Sequence, residues 1–174
     1  DIGGDGSNVT INSGVTIDGA GTATAVATGG STNATITNNG TISVTTNRSF
    51  RTSGGQIDEL INNGVITAGG REGLLNSGTI NILTNTGEIS ADRNQGINNR
   101  NSRIIGTITN SGTITAEDSQ GLRNDGTIGT ITNSGEISAD NDFGLLNNAT
   151  GTITALSIPA KFLRQMILAY KIEE

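Results

Sequence analysis

The segment that decides the fold begins Gly73-Leu74-Leu75-Asn76-Ser77-Gly78-Thr79-Ile80, continues through Asn85-Thr86-Gly87-Glu88-Ile89-Ser90-Ala91, and starts again at Gly96, Gly121 and Gly144. Counting back 23 residues from Gly73 reaches Phe50, and Gln56-Ile57 through Gly64-Val65-Ile66-Thr67-Ala68 follows the same template. A repeat of 23 to 25 residues is the signature of a solenoid, a propeller or an array, in which each unit buries its apolar face only against its neighbours.

Aligning the units on the glycine of Asn-x-Gly places Gly40, Gly64, Gly87, Gly112, Gly135 and Gly151 in one column. Two residues later stand Ile42, Ile66, Ile89, Ile114, Ile137 and Ile153, and two further on Val44, Ala68, Ala91, Ala116, Ala139 and Ala155. Apolar residues spaced by two mark a strand with one buried face. A second stripe precedes the glycine by four residues (Ile36, Leu60, Leu83, Ile108, Ile131) and by seven (Ile57, Ile80, Ile105, Ile128). A third follows each unit-opening glycine as Leu74, Ile97, Leu122 and Leu145. Three stripes per unit predict a three-walled tube: an all-β, single-stranded parallel β-helix of about six coils, on the order of 30 Å long at ~4.8 Å per coil.

Asn38, Asn62, Asn85, Asn110 and Asn133 precede the turn glycine by two, and Asn76, Asn99, Asn124 and Asn147 form another column. An amide can bond the backbone of its own turn and its copies in the coils above and below, so both columns are expected to be structural ladders. The glycine after each Asn of the first column is expected to supply a positive φ. Glu88 and Glu136 share a column but are separated by Thr113, as a stack that avoids touching like charges requires.

Composition narrows the functions. With 26 Gly, one Tyr, three Phe and no Trp, the chain lacks the side chains of a round core, which suits a narrow stacked one. A net charge of −6 excludes nucleic acid and anionic lipid as favoured partners, since both need a clustered basic face. The absence of His and Cys removes the usual nucleophilic triads and transition-metal sites. No apolar run approaches the ~20 residues of a membrane span, so direct insertion of this segment is not expected. Asp58-Glu59 and Asp92 show no acidic partner in the coil compared with each, so no carboxylate dyad, no catalysis and no cofactor are expected.

The chain divides into an irregular N-terminal coil (1–30), solenoid repeats (31–156) and a C-terminal segment (157–174). In the last, Ser157 is placed to cap a helix, and Phe162, Leu163, Met166, Ile167 and Tyr170 recur at three and four. This predicts an amphipathic α-helix that covers the open end of the rod, with an oligomerisation helix or an appended tail as alternatives. One insertion, around Asn101, Ser102 and Arg103, bulges from a corner, and the residues after Ala91, Ala116 and Ala139 form a variable corner. Arg93, Arg103 and Asp118 are the candidate binding contacts at these corners.

The run from Gly121 to Ser138, with Asn124-Asp125-Gly126-Thr127-Ile128 and Asn133-Ser134-Gly135-Glu136-Ile137, resembles the Asn-Ser-Gly-Thr-Ile repeats of bacterial autotransporter passenger domains. The resemblance covers about residues 34 to 155 and implies a right-handed parallel β-helix, displayed outside the cell, that acts in adhesion or self-association. The implied partners are a host-surface protein or glycan, or a second copy; no family binding residue carries over. Two alternatives remain at this level. Thr-x-Thr phrases such as Thr107-Ile108-Thr109 and Thr130-Ile131-Thr132 fit an ice-binding wall, although Glu59, Ile82, Glu88 and Glu136 interrupt the files. A polysaccharide-binding or phage-fibre module would carry the same low-complexity repeat.

Overall fold

The computed structural model describes residues 6–19, 23–30 and 33–159. Among these the chain is all-β: parallel strands stack into three sheets that form a β-solenoid of about six coils. Each coil contributes one strand to each wall in the same order, and each wall is built by pairing with the coils above and below.

The first wall holds seven strands, β1 (Asn8–Ile11), β4 (Ala34–Asn38), β7 (Gln56–Asn62), β10 (Thr79–Asn85), β13 (Ile104–Asn110), β16 (Thr127–Asn133) and β19 (Thr152–Ser157). The second holds β2 (Thr16–Gly19), β5 (Thr41–Val44), β8 (Val65–Ala68), β11 (Glu88–Ala91), β14 (Thr113–Ala116) and β17 (Glu136–Ala139). The third is made of three-residue strands: β3 (Val26–Thr28), β6 (Phe50–Thr52), β9 (Leu74–Asn76), β12 (Ile97–Asn99), β15 (Leu122–Asn124) and β18 (Leu145–Asn147).

The predicted apolar columns are register columns. Ile42, Ile66, Ile89, Ile114 and Ile137 lie in line, as do Leu60, Leu83, Ile108 and Ile131. All are buried, and with Phe50, Leu74, Ile97, Leu122 and Leu145 they form one continuous core. No aromatic layer is needed because each wall brings one or two aliphatic side chains per coil to a narrow axis.

Ile153 departs from the expected alignment. It pairs with Ile128 on the first wall rather than stacking above Ile137, and Ala155 pairs with Thr130 and faces outward. The turn Asn148-Ala149-Thr150-Gly151 is two residues longer than Asp125-Gly126, so Gly151 follows the third-wall strand and not the first. It matches the insertion at Arg100-Asn101-Ser102-Arg103, so the latter is one of two such turns. Phe50 likewise pairs with Leu74, one residue on from the position reached by counting back.

The N-terminal segment is more regular than expected: β1, β2 and β3 pair in register with β4, β5 and β6. Ile11 takes the ladder position below Asn38. At the other end, Ser157 is the last residue of β19, and the expected helix with Phe162, Leu163, Met166, Ile167 and Tyr170 lies outside the described residues.

The turn glycines are glycines for a different reason than expected. Among the described glycines positive φ occurs at Gly6, Gly14 and Gly54 but at none of Gly40, Gly64, Gly87, Gly112 or Gly135. Instead the backbones stack so closely that a Cβ on Gly87 would overlap the carbonyl oxygen of Gly64, and one on Gly112 that of Gly87. Absence of the side chain, not access to a left-handed conformation, lets the coils close up.

Candidate functional site

The outward faces of the walls differ in chemistry, and that difference follows from the register. On the second wall Glu88 and Glu136 flank Thr113, as the sequence indicated. At the corner beyond it, the backbone N–H of Glu117 donates to the Ala91 carbonyl and that of Asp140 to the Ala116 carbonyl. Asp92, Glu117 and Asp140 therefore occupy equivalent places in three successive coils. Asp92 has Gly69 in its place in the coil below but Glu117 and Asp140 in the coils above, so the absence of an acidic partner holds in one direction only. The resulting groove, about 470 Å³, is lined by these three, Glu88 and Glu136 among Ser and Thr. No three carboxylates among the described residues are arranged to hold a metal ion.

The first wall carries threonine files. Thr10, Thr37, Thr84, Thr109 and Thr132 share one column, broken by Ile61; Thr35, Thr107 and Thr130 share the next, broken by Glu59 and Ile82. Ile82 and Ile104 stand exposed on this wall. Thr152 lies in line with Thr127, so it does not belong to the file of Thr41 and Thr113.

The third wall presents the least uniform outward column: Ala27, Arg51, Leu75, Asn98, Arg123 and Leu146. Between the corners on either side of its three-residue strands lies a groove of about 450 Å³. Asn98 and Arg123 line it from the wall, and Glu72, Asn94 and Gln95 from the variable corner. Arg100, Asn101, Asp125 and Thr150 come from the opposite corner, where both long turns sit. Every lining side chain is polar.

Most of the charge in the groove is compensated. Arg123 donates from Nε to Asp125 Oδ2 at 2.8 Å and from Nη2 to Oδ1 at 3.1 Å, while Asn148 donates to the same Oδ1 at 2.7 Å. Partial burial alone would raise the Asp125 carboxyl, but the hydrogen bonds from Arg123 and Asn148 and the Arg123 charge outweigh it and hold it below its ordinary value. Glu72, buried at the other rim, pairs with Arg48 Nε at 2.8 Å. Among the described residues Arg100 makes no side-chain ion pair or hydrogen bond, and it is exposed.

A relay of amides fixes the orientation of the groove's Asn98 and Gln95. Asp142 accepts at Oδ1 from the Phe143 N–H and at Oδ2 from Gln120 Nε2. A carboxylate only accepts, so Gln120 must turn its Nε2 upward and its Oε1 toward Gln95. Gln95 Nε2 donates to that Oε1 at 3.1 Å and to Ser119 Oγ at 2.9 Å, which leaves Gln95 Oε1 to accept from Asn98 Nδ2 at 3.2 Å. Asn98 Oδ1 is then left enclosed with no protein donor, one of three such buried side-chain atoms among the described residues; Arg51 Nε, two coils below in the same column, is another.

The candidate contacts named from sequence do not converge. Arg93 and Asp118 stand one coil apart at the variable corner, exposed and without an ion pair between them; Asn141 in the next coil donates to Asp118 Oδ1 at 3.3 Å. Arg103 sits across the third wall in the long turn, where its backbone carbonyl accepts from Asn99 Nδ2 and Thr127 N. The groove residues Asn98, Arg100, Arg123 and Asp125 were not singled out. The signal available for them was the outward column of the third stripe, where residue type changes from coil to coil.

No family model matches the chain, and neither a curated protein nor a solved structure shows significant similarity to it.

Proposed function

We propose that the chain is a rigid display rod of a surface-exposed adhesin, of the autotransporter passenger kind that its repeats resemble, and that it works by binding rather than catalysis. The observation that carries this reading is the division of labour between positions. The inward columns and corner amides hardly vary from coil to coil, whereas the third-wall outward column and its two rims change at nearly every coil and enclose an all-polar groove. A scaffold with unvarying supports and varied rims suits recognition of a polar partner, with specificity set at the rims. A right-handed winding and an extracellular location follow from the same likeness.

The charge distribution adds a route to self-association. Acids gather along the second wall and its corner, at Glu88, Asp92, Glu117, Glu136 and Asp140, while Arg51, Arg100, Arg103 and Arg123 belong to the third wall and its far corner. Rods lying side by side can set one face against the other, with attraction that salt screens.

The test joins two measurements on the purified chain: a screen of immobilised glycans and host-surface proteins, and sedimentation at 20 and at about 500 mM salt. Binding to at least one polar partner, or association that weakens with salt, is the expected result. Monomeric rods that bind nothing while depressing the freezing point through thermal hysteresis would replace this reading with ice binding, which the Thr35-Ile36-Thr37, Thr107-Ile108-Thr109 and Thr130-Ile131-Thr132 phrases favour.

A further inference from the structure

We propose that the third-wall groove is a binding site for a saccharide bearing an acid group, with Arg100 engaging the acid and the amides of the groove engaging hydroxyls. The inference rests on the adhesive reading above and names the ligand class for its groove.

With no apolar side chain in the groove, an aliphatic or aromatic ligand would gain nothing from burial there, so the occupant must be polar over most of its surface. Asn94 and Asn101 supply amides that both donate and accept, the combination that hydroxyl groups require, and Asn98 keeps one amide hydrogen beyond the one it gives to Gln95. A volume of about 450 Å³ lies within the range of small-ligand sites.

Charge then selects among polyhydroxylated ligands. Arg123 and Glu72 already have partners at 2.8 Å, Asp125 and Arg48 respectively, so neither is free to bind a charge without breaking an ion pair. Arg100 has no such partner among the described residues and lines the groove from its rim. Its guanidinium is a planar fork that matches a carboxylate in two parallel hydrogen bonds. In a chain of net charge −6 this is a local reversal of sign, so an acidic ligand is attracted to the groove and repelled by the second wall.

The experiment is titration calorimetry of the chain with trigalacturonate, with 3′-sialyllactose, with neutral lactose and with acetate. The expected result is binding of at least one acidic saccharide about tenfold or more tighter than lactose, with no competition from acetate at equal concentration. Arg100→Gln is expected to reduce that affinity about tenfold while leaving the circular dichroism of the folded chain unchanged. Equal binding of lactose, full competition by acetate, no binding of either acidic saccharide, or unchanged affinity in Arg100→Gln would each overturn the proposal. Should Arg100→Gln fail to fold, Asn101→Asp provides the second variant: it sets a carboxylate beside Arg100, and an acidic ligand must then bind at least several-fold more weakly. If adhesion or self-association persists while the groove binds no saccharide, the groove assignment falls and the display rod stands. If the groove binds but no adhesion or association is found, the reverse holds.

Discussion

Asn62 donates one amide hydrogen to Oδ1 of Asn85 in the next coil at 2.7 Å and bonds the carbonyl of Glu88 at 2.9 Å, so a single side chain ties its own corner to the coil above. Asn85 repeats the arrangement toward Asn110 and Thr113, and Asn110 toward Asn133 and Glu136. At the other corner Asn76, Asn99 and Asn124 do the same. Every member of both files except the last, Asn133 and Asn147, donates in the same direction, toward the C-terminal coil. Because the donors are buried, they cannot be replaced by water.

Replacing that donor is therefore expected to be costly. Asn85→Asp would set a carboxylate oxygen against the Asn110 Oδ1 and the Thr113 carbonyl, two acceptors, inside the structure. Urea unfolding should show a loss of about 2–4 kcal/mol, since an acceptor faces acceptors in a desolvated site. The same change at exposed Asn63 should move stability by less than about 0.5 kcal/mol. Equal effects at the two positions would remove the ladder from the account.

The turn glycines and the positive-φ glycines should respond differently to a methyl group. Gly87→Ala forces a Cβ against the Gly64 carbonyl, so the coils must separate; a loss of at least about 3 kcal/mol, or failure to fold, is expected. Gly14→Ala has open space but φ +79, so its cost should be about 1–2 kcal/mol, that of the left-handed conformation alone. Thermal melts of the two variants check the order.

Asp125 makes the acid limb of stability pH-dependent. Its folded carboxyl titrates below the ordinary value of 3.8, so its contribution is fully present above that value and is lost as the pH falls through the lowered folded one. Asp125→Asn should therefore unfold with a smaller difference between pH 6 and pH 3 than the parent chain. A difference as large in the variant would show that other carboxylates carry the whole effect.

Asp142 sets the direction of the amide relay, although it does not itself line the groove. Asp142→Asn lets position 142 donate, which removes the constraint that orients Gln120, Gln95 and Asn98. Side-chain amide resonances of Gln95 and Asn98 are expected to shift or split along with that of Gln120. A change confined to Gln120 would mean that Gln95 and Asn98 are oriented by their own surroundings.

The architecture was legible because its determinants are periodic. A buried Ile or Leu every 23 to 25 residues has no helical explanation, and the in-register pairs Leu83 with Ile108 and Ile89 with Ile114 follow from it directly. Alignment is ambiguous where a turn changes length: at Asn148 to Gly151 the glycine matches either corner, and spacing alone puts Ile153 on the second wall although it pairs with Ile128 on the first. The turn glycines were located, but their cause was hidden, since close approach between Gly64 and Gly87 depends on how tightly backbones stack across coils.

The site was less legible than the scaffold. Asp92, Glu117 and Asp140 share the place after the alanine column, a match visible only when Asp92 is aligned with the coils above it and not with Gly69 below. The groove depends on something no column shows, the corners that stand on either side of the three-residue third-wall strands. Pairing between Arg123 and Asp125 two residues apart was within reach; the lack of a partner for Arg100 was not.

The common direction of the two amide files makes the ends of the rod inequivalent. Below Asn38 the first file stops on Ile11, and below Asn76 the second passes into Thr52 and Thr28, so that end offers no amide acceptor to a newcomer. At the other end Asn133 and Asn147 accept from the coil below but, among the described residues, donate only to a carbonyl of their own turn, at Gly135 and Gly151. Lengthening by duplication of a repeat thus has a preferred address: a copy spliced in beyond Asn133 prolongs both files without a break, whereas one placed beneath Ile11 would have to begin them anew.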